Sequence, residues 1–171
     1  MKMDKLKGTV VWKFEDHFNA DRIVGSKNIG EKNIDILGKV CLADFDPDFI
    51  NRVRRGDMMI AGRNFGYGHP HQQSIQSLKK NGISCVIAES FYPGWYRMAF
   101  FHNLPVLICP DITSLADIDH ELEVDVATGK IKNLTTGKAI QGEPVPSFLM
   151  DVLNAGGLVA WLRKQPVPSQ K

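Results

Sequence analysis

The chain has 171 residues, of which 43% are hydrophobic, enough to close one well-packed core and short for two. Twenty-one basic against nineteen acidic residues leave a formal charge of +2 without a concentrated basic stripe, which excludes nucleic acid held by phosphate neutralisation as a partner. No apolar run approaches membrane-spanning length and the opening Met1-Lys-Met-Asp-Lys-Leu-Lys is charged, so neither a span nor a signal peptide is expected and a soluble, cytoplasmic protein is.

Residues 9–14 are β-branched and aromatic and read as a first strand; the polar, turn-rich stretch 15–28 reads as a loop. Asp46-Pro47 places a capping residue before proline at a first helical position, and Phe49, Ile50 and Val53 supply an apolar stripe that Gly56 ends. Residues 58–61 form a compact apolar strand that leads into Gly62-Arg-Asn-Phe-Gly-Tyr-Gly-His-Pro-His-Gln-Gln. A helix over 74–80 follows, with Gly82 as its stop.

Residues 83–88 and 106–109 are two further buried strands, separated by an aromatic, partly helical segment at 91–101. Such alternation of strands and helices predicts parallel pairing. Strict two-residue alternation in Glu121-Leu-Glu-Val-Asp-Val, with turns at Thr128-Gly129 and Thr136-Gly137, predicts a hairpin or meander. Past Pro144 and Pro146 a helical face over 148–153 is interrupted by Gly156-Gly157 and resumes over 158–162. Residues 1–165 read as a single domain and 166–171 as a frayed tail.

Cys41, Cys85 and Cys109 are odd in number, far apart and set in apolar surroundings, as small buried hydrophobes in a reducing compartment are. With no CxxC pair or Cys/His cluster, neither an iron–sulfur cluster nor a four-ligand zinc site is expected on this chain.

The stretch 62–73 is the candidate site. Gly62, Gly66 and Gly68 let backbone approach a ligand closely, and the helix that follows aims free N–H groups at the same place, which suits an anion. Pro70 belongs in the first turn, which puts His69 at the cap. Many such turns serve only tight packing. The spacing matches neither the dinucleotide fingerprint nor the Walker loop. His69 and His71 as metal ligands would need His102 or Asp111 to converge on them, which nothing in the sequence requires; His17, His102 and His120 have no supporting pattern.

Several ordered segments resemble one family. Gly8 onward with Val-Trp-Lys-Phe, Gly56-Asp57 leading into Ile60-Ala-Gly-Arg-Asn-Phe-Gly, Val86-Ile-Ala-Glu-Ser-Phe, Tyr96-Arg97, Leu104-Pro-Val-Leu-Ile-Cys-Pro, Glu121-Leu-Glu-Val-Asp-Val, Thr128-Gly-Lys-Ile-Lys-Asn-Leu and Asn154-Ala-Gly-Gly-Leu are similar to the small subunits of 3-isopropylmalate dehydratase. That resemblance implies an α/β fold, the swivelling β/β/α domain that forms the C-terminal part of aconitase. It also implies a larger partner chain carrying a [4Fe–4S] cluster, and a small hydroxy-di- or tricarboxylate substrate that is dehydrated and rehydrated.

In the usual family loop the third glycine is followed by Ser-Ser-Arg-Glu, the serine acting as base and the arginine gripping a substrate carboxylate. Here His69 stands at the serine and His71 at the arginine. Imidazole serves as a base near neutral pH, whereas a histidine is a poor copy of a permanently charged, bidentate guanidinium. The resemblance therefore implies His69 as the catalytic residue and His71, Arg63, Asn64, Gly66 and Gly68 as substrate-binding, with Arg97 as a second cationic candidate. An Asp-Thr-Asp-like stretch reads Asn19-Ala20-Asp21, and Pro93 replaces a common arginine, so the pocket is remodelled. A non-catalytic regulatory subunit that keeps the fold and has lost base and clamp is the alternative.

Overall fold

The computed structural model describes residues 5–166. Its spine is β1 (Lys5–Phe14), followed by β2 (Met58–Ala61), β3 (Cys85–Ala88), β4 (Val106–Ile108), β5 (Glu121–Asp125), β6 (Lys130–Asn133) and β7 (Ala139–Gln141). These strands make one seven-stranded sheet in the order β4-β3-β2-β1-β5-β6-β7.

The sheet is mixed because β1 serves two neighbours in succession. Its first half, Lys5 to Thr9, pairs antiparallel with β5, and Val10 to Phe14 pairs parallel with β2 across an irregularity between Val10 and Trp12. β2, β3 and β4 continue in parallel, while β5, β6 and β7 form the expected meander. Burial explains the two sequence signatures. Met58–Ala61 and Cys85–Ala88 are buried on both faces and read as unbroken apolar runs, whereas β5 and β6 bury alternate residues and read as alternation.

The helices are α1 (Ile34–Lys39), α2 (Phe49–Arg52), α3 (Gln72–Lys80), α4 (Pro93–Phe101), α5 (Ile112–Leu115), α6 (Ser147–Ala155) and α7 (Leu158–Arg163). Proline opens α4 at its first turn, where a missing N–H costs nothing, and Gly156 closes α6 in the left-handed conformation.

Four expectations need correction. The first strand begins at Lys5, because charged side chains alternate outward from the antiparallel half of β1. The stretch 15–28 carries two 3-10 turns, at Ala20–Ile23 and Ser26–Asn28. The helix read after Asp46-Pro47 shrinks to Phe49–Arg52: the Asp46 carboxylate accepts from the Asp48 N–H and from Arg52, and Val53 is already extended. Helix α1, which no sequence signal marked, is capped by Asn33 Oδ1 at the Asp35 and Ile36 N–H groups; its Ile34 and Ile36 are exposed and leave little apolar stripe. Of the tail at 166–171, all but Pro166 lies outside the described residues.

Candidate functional site

Because β1, β2 and β3 run parallel, the chain leaves all three at the same edge, where open α/β sheets carry their sites. The segment after β1 is laced to the one after β2: the Gly62 N–H donates to the Phe14 carbonyl (3.1 Å), His17 N–H to Arg63 O (2.7 Å) and Gly66 N–H to Phe18 O (2.9 Å). The segment after β3 joins through Asn64 N–H to Ser90 Oγ (2.8 Å), Phe65 N–H to Ser90 O (3.0 Å) and Tyr92 N–H to Phe65 O (2.8 Å). Beneath the loop, Phe14, Phe18, Phe65 and Trp95 pack with ring centroids 4.5 to 6.0 Å apart and hold its underside.

Two of the glycines have identifiable work. At Gly62 an added Cβ would lie 2.0 Å from Asp16 Oδ1, so glycine admits the Asp16 carboxylate to the Arg63 N–H (2.7 Å). At Gly66, where φ is +83°, a Cβ would lie 2.5 Å from Trp95 Cγ, so glycine supplies both the backbone conformation and the seat for the indole. Gly68 lies against the Asn19 side chain.

Arg63, expected to bind substrate, is engaged within the chain. Its Nε and Nη2 donate to Asp16 Oδ2 at 2.9 and 2.7 Å. The Arg63 backbone N–H, then its guanidinium, hold the Asp16 carboxyl below the usual carboxylate range. The arginine is thus a loop clasp whose side chain still stands 70% exposed. Asn64, with φ +53°, donates from Nδ2 to His17 Nδ1 (3.1 Å), bringing to the site a histidine without any sequence signal. An amide nitrogen only donates, so His17 Nδ1 accepts and its Nε2 carries the proton.

The cap of α3 is His71, not His69: His71 is extended (φ −107°, ψ 145°), so the cap lies two residues later than expected, while the helix itself opens at Gln72, two residues before the start read at Ser74. Asp21, from the first 3-10 turn, accepts from the His71 N–H at Oδ1 (3.2 Å) and from ring Nδ1 at Oδ2 (2.9 Å). The Trp95 indole N–H donates to Ser74 Oγ (3.2 Å), and the Ser74 hydroxyl donates to the His71 carbonyl (2.9 Å). His69 is exposed, and its side chain makes no hydrogen bond or ion pair among the described residues. A polar cavity of about 430 Å³ opens beyond Asp21, with Asp21, Asp44 and Arg22 among its lining residues.

The other candidates lie apart from the loop's hydrogen bonds. Arg97 donates from Nε to the Pro93 carbonyl of its own helix (3.3 Å). His120 accepts at Nδ1 from Asn133 Nδ2 (2.9 Å) beside the antiparallel half of the sheet, and His102 caps the end of α4, where burial and the Lys79 charge push its pKa down. The cysteines are buried thiols: burial raises Cys41 and Cys85 to about 12, and Cys109 to about 11. Among the described residues no three His, Cys, Asp or Glu side chains converge on a metal position, and no helix is long and apolar enough to cross a membrane.

No family model matches the chain. Among curated proteins it is 40% identical over 165 residues, 96% of this chain and 98% of the relative, to the isopropylmalate/citramalate isomerase small subunit of Methanocaldococcus jannaschii. It is likewise 40% identical over 155 residues, 91% of this chain and 93% of the relative, to the 3-isopropylmalate dehydratase small subunit of Halothermothrix orenii. Among solved structures, the 3-isopropylmalate dehydratase LeuD of Methanocaldococcus jannaschii superposes with a TM-score of 0.85 at 31% identity, covering 94% of each chain.

Proposed function

The chain belongs to the family of 3-isopropylmalate dehydratase small subunits and is the small subunit of a heteromeric hydro-lyase; on that premise we propose that the loop at 62–73 brings histidine chemistry to a hydroxy-di- or tricarboxylate held between this chain and its large subunit. The name of one relative carries two substrates, isopropylmalate and citramalate. A branched hydroxydicarboxylate is therefore the first class to assay, in the cytoplasm of the producing cell.

The [4Fe–4S] cluster of such an enzyme belongs on the large subunit. This chain's donors do not fit one: its three cysteines are buried, neutral thiols and no ligand triad converges among the described residues. The chain's own contribution is a proton acceptor and polar contacts to carboxylate.

A C–H beside a carboxylate is weakly acidic, so its removal needs a placed base and donors for the charge that develops. By position in the loop His69 stands for the family's base and His71 for its arginine. The observation that carries the reading is the Asp21–His71 pair at the head of α3, because it equips an exposed loop with an oriented imidazole. His17 Nε2–H and the Asn64 amide add donors on the same edge of the sheet.

Purifying the chain with its large subunit, reconstituting the cluster and assaying a panel of hydroxy-di- and tricarboxylates tests the proposal. Turnover of at least one is expected. Turnover of none, with cluster and complex intact, favours a regulatory subunit that keeps the fold and has lost the chemistry.

A further inference from the structure

We infer that Asp21 is a positioning residue that fixes the His71 ring with its proton on Nδ1 and its Nε2 lone pair outward, making His71 rather than His69 the proton acceptor. The inference rests on the hydro-lyase reading for its substrate but not for its geometry. A carboxylate only accepts hydrogen bonds, so the 2.9 Å contact between Asp21 Oδ2 and His71 Nδ1 requires the proton on Nδ1. The neutral ring then has one free acceptor, Nε2. When that nitrogen takes a proton, the imidazolium that forms already faces a carboxylate.

Three further features fix the pair. Asp21 Oδ1 also accepts from the His71 backbone N–H, so one carboxylate grips ring and main chain together. The nearest cation by sequence, Arg22, points away to the Phe18 and Phe45 rings (5.1 and 4.7 Å) and to Glu15, leaving Asp21 to the histidine. The Asp21 side chain is 16% exposed and that of His71 42%, so the acid is sheltered while the ring reaches solvent. Among the described residues His69 has no such partner, so its ring would have to be oriented anew in each turnover.

In the step assigned to it, His71 Nε2 takes the proton from the carbon beside a carboxylate. The C–H pair becomes the new C=C bond, and the C–O pair leaves with the hydroxyl on the neighbouring carbon. Proton and hydroxide together are the water lost, and the reverse sequence on the other carbon completes an isomerisation.

Long-range ¹H–¹⁵N spectra of the full chain read the tautomer directly. The expected spectrum shows neutral His71 protonated on Nδ1, and Asp21→Ala moves the proton to Nε2, the usual preference of a free histidine. In the reconstituted holoenzyme His71→Ala and Asp21→Ala each lower kcat on the order of a hundredfold, with little further loss in the double variant, while His69→Ala lowers it less than tenfold. Asp21→Asn keeps an acceptor for the backbone N–H and loses the charge, so it separates folding from positioning; its kcat is also expected to fall. A wild-type His71 protonated on Nε2 overturns the inference, as does an Asp21→Asn enzyme at full kcat or a His69→Ala loss that exceeds the His71→Ala loss. If no substrate turns over at all, the hydro-lyase reading fails and the tautomer spectrum still decides the role of Asp21.

Discussion

Gly66→Ala is the perturbation whose consequence is most completely set by the coordinates. The new Cβ would lie 2.5 Å from Trp95 Cγ and 2.6 Å from Trp95 Cβ, and φ is +83°, where an L side chain is strained. The left-handed backbone costs about 1–2 kcal/mol, and forcing a methyl against a fully buried indole costs about 1–3 kcal/mol. The sum, about 2–5 kcal/mol, is a large part of the roughly 5–15 kcal/mol that holds a domain folded. At roughly 2–4 °C per kcal/mol for a chain of this size, Tm falls by about 4–20 °C. Urea titration should show the midpoint drop with an unchanged slope. Displacing Trp95 also loosens its Ser74 hydrogen bond, and with it the support of the His71 carbonyl. Activity of the folded variant therefore falls as well. A stability change within about 0.5 kcal/mol, the range of a neutral surface substitution, would refute the account of why residue 66 is glycine.

Four other outcomes follow from the same structure. Because the Asp16 carboxyl is held below its ordinary value of 3.8 by the Arg63 N–H and guanidinium, the clasp contributes stability above that value and loses it as pH falls through the lowered one; ¹³C titration of Asp16 should show the depressed midpoint, and an ordinary or raised one contradicts the clasp. Asp16→Asn should lower kcat through a loosened loop without moving the midpoint of global unfolding much, as proteolysis of the loop and a urea curve measured together would show. Cys41 and Cys85, raised to about 12, and Cys109, raised to about 11, should resist iodoacetamide at pH 8 in the native chain and react once it is unfolded; rapid native labelling contradicts their burial. His102 has its pKa pushed down by burial and the Lys79 charge, so the unfolded chain binds the proton more readily and stability falls as pH drops through about 6.5; replacing it with Asn should flatten that part of the stability curve.

The parallel half of the sheet was legible because strands buried on both faces must be apolar throughout, as Met58–Ala61 and Cys85–Ala88 are. The meander was legible because one covered face writes alternation into β5 and β6. The loop announced itself by its glycines, and the structure adds the reasons: Gly62 admits Asp16 and Gly66 seats Trp95. The partners of the loop were not legible. Asp16 and Arg63, like His17 and Asn64, are 47 residues apart, and Asp21 and His71 are 50 apart. Only the parallel register of β1 against β2 brings their exits together, and no local pattern encodes it. The cap shifted from His69 to His71 for a related reason: proline excludes an earlier helical residue, yet the actual start follows the tertiary bond from Asp21 to the His71 N–H.

The most direct measurement is turnover of a hydroxy-di- or tricarboxylate by this chain in complex with its cluster-bearing large subunit, compared before and after His71→Ala at matched cluster content. Measurable dehydration by the wild-type pair is expected, with a loss on the order of a hundredfold or more in the variant. Undiminished turnover in the variant would contradict His71 as the proton acceptor.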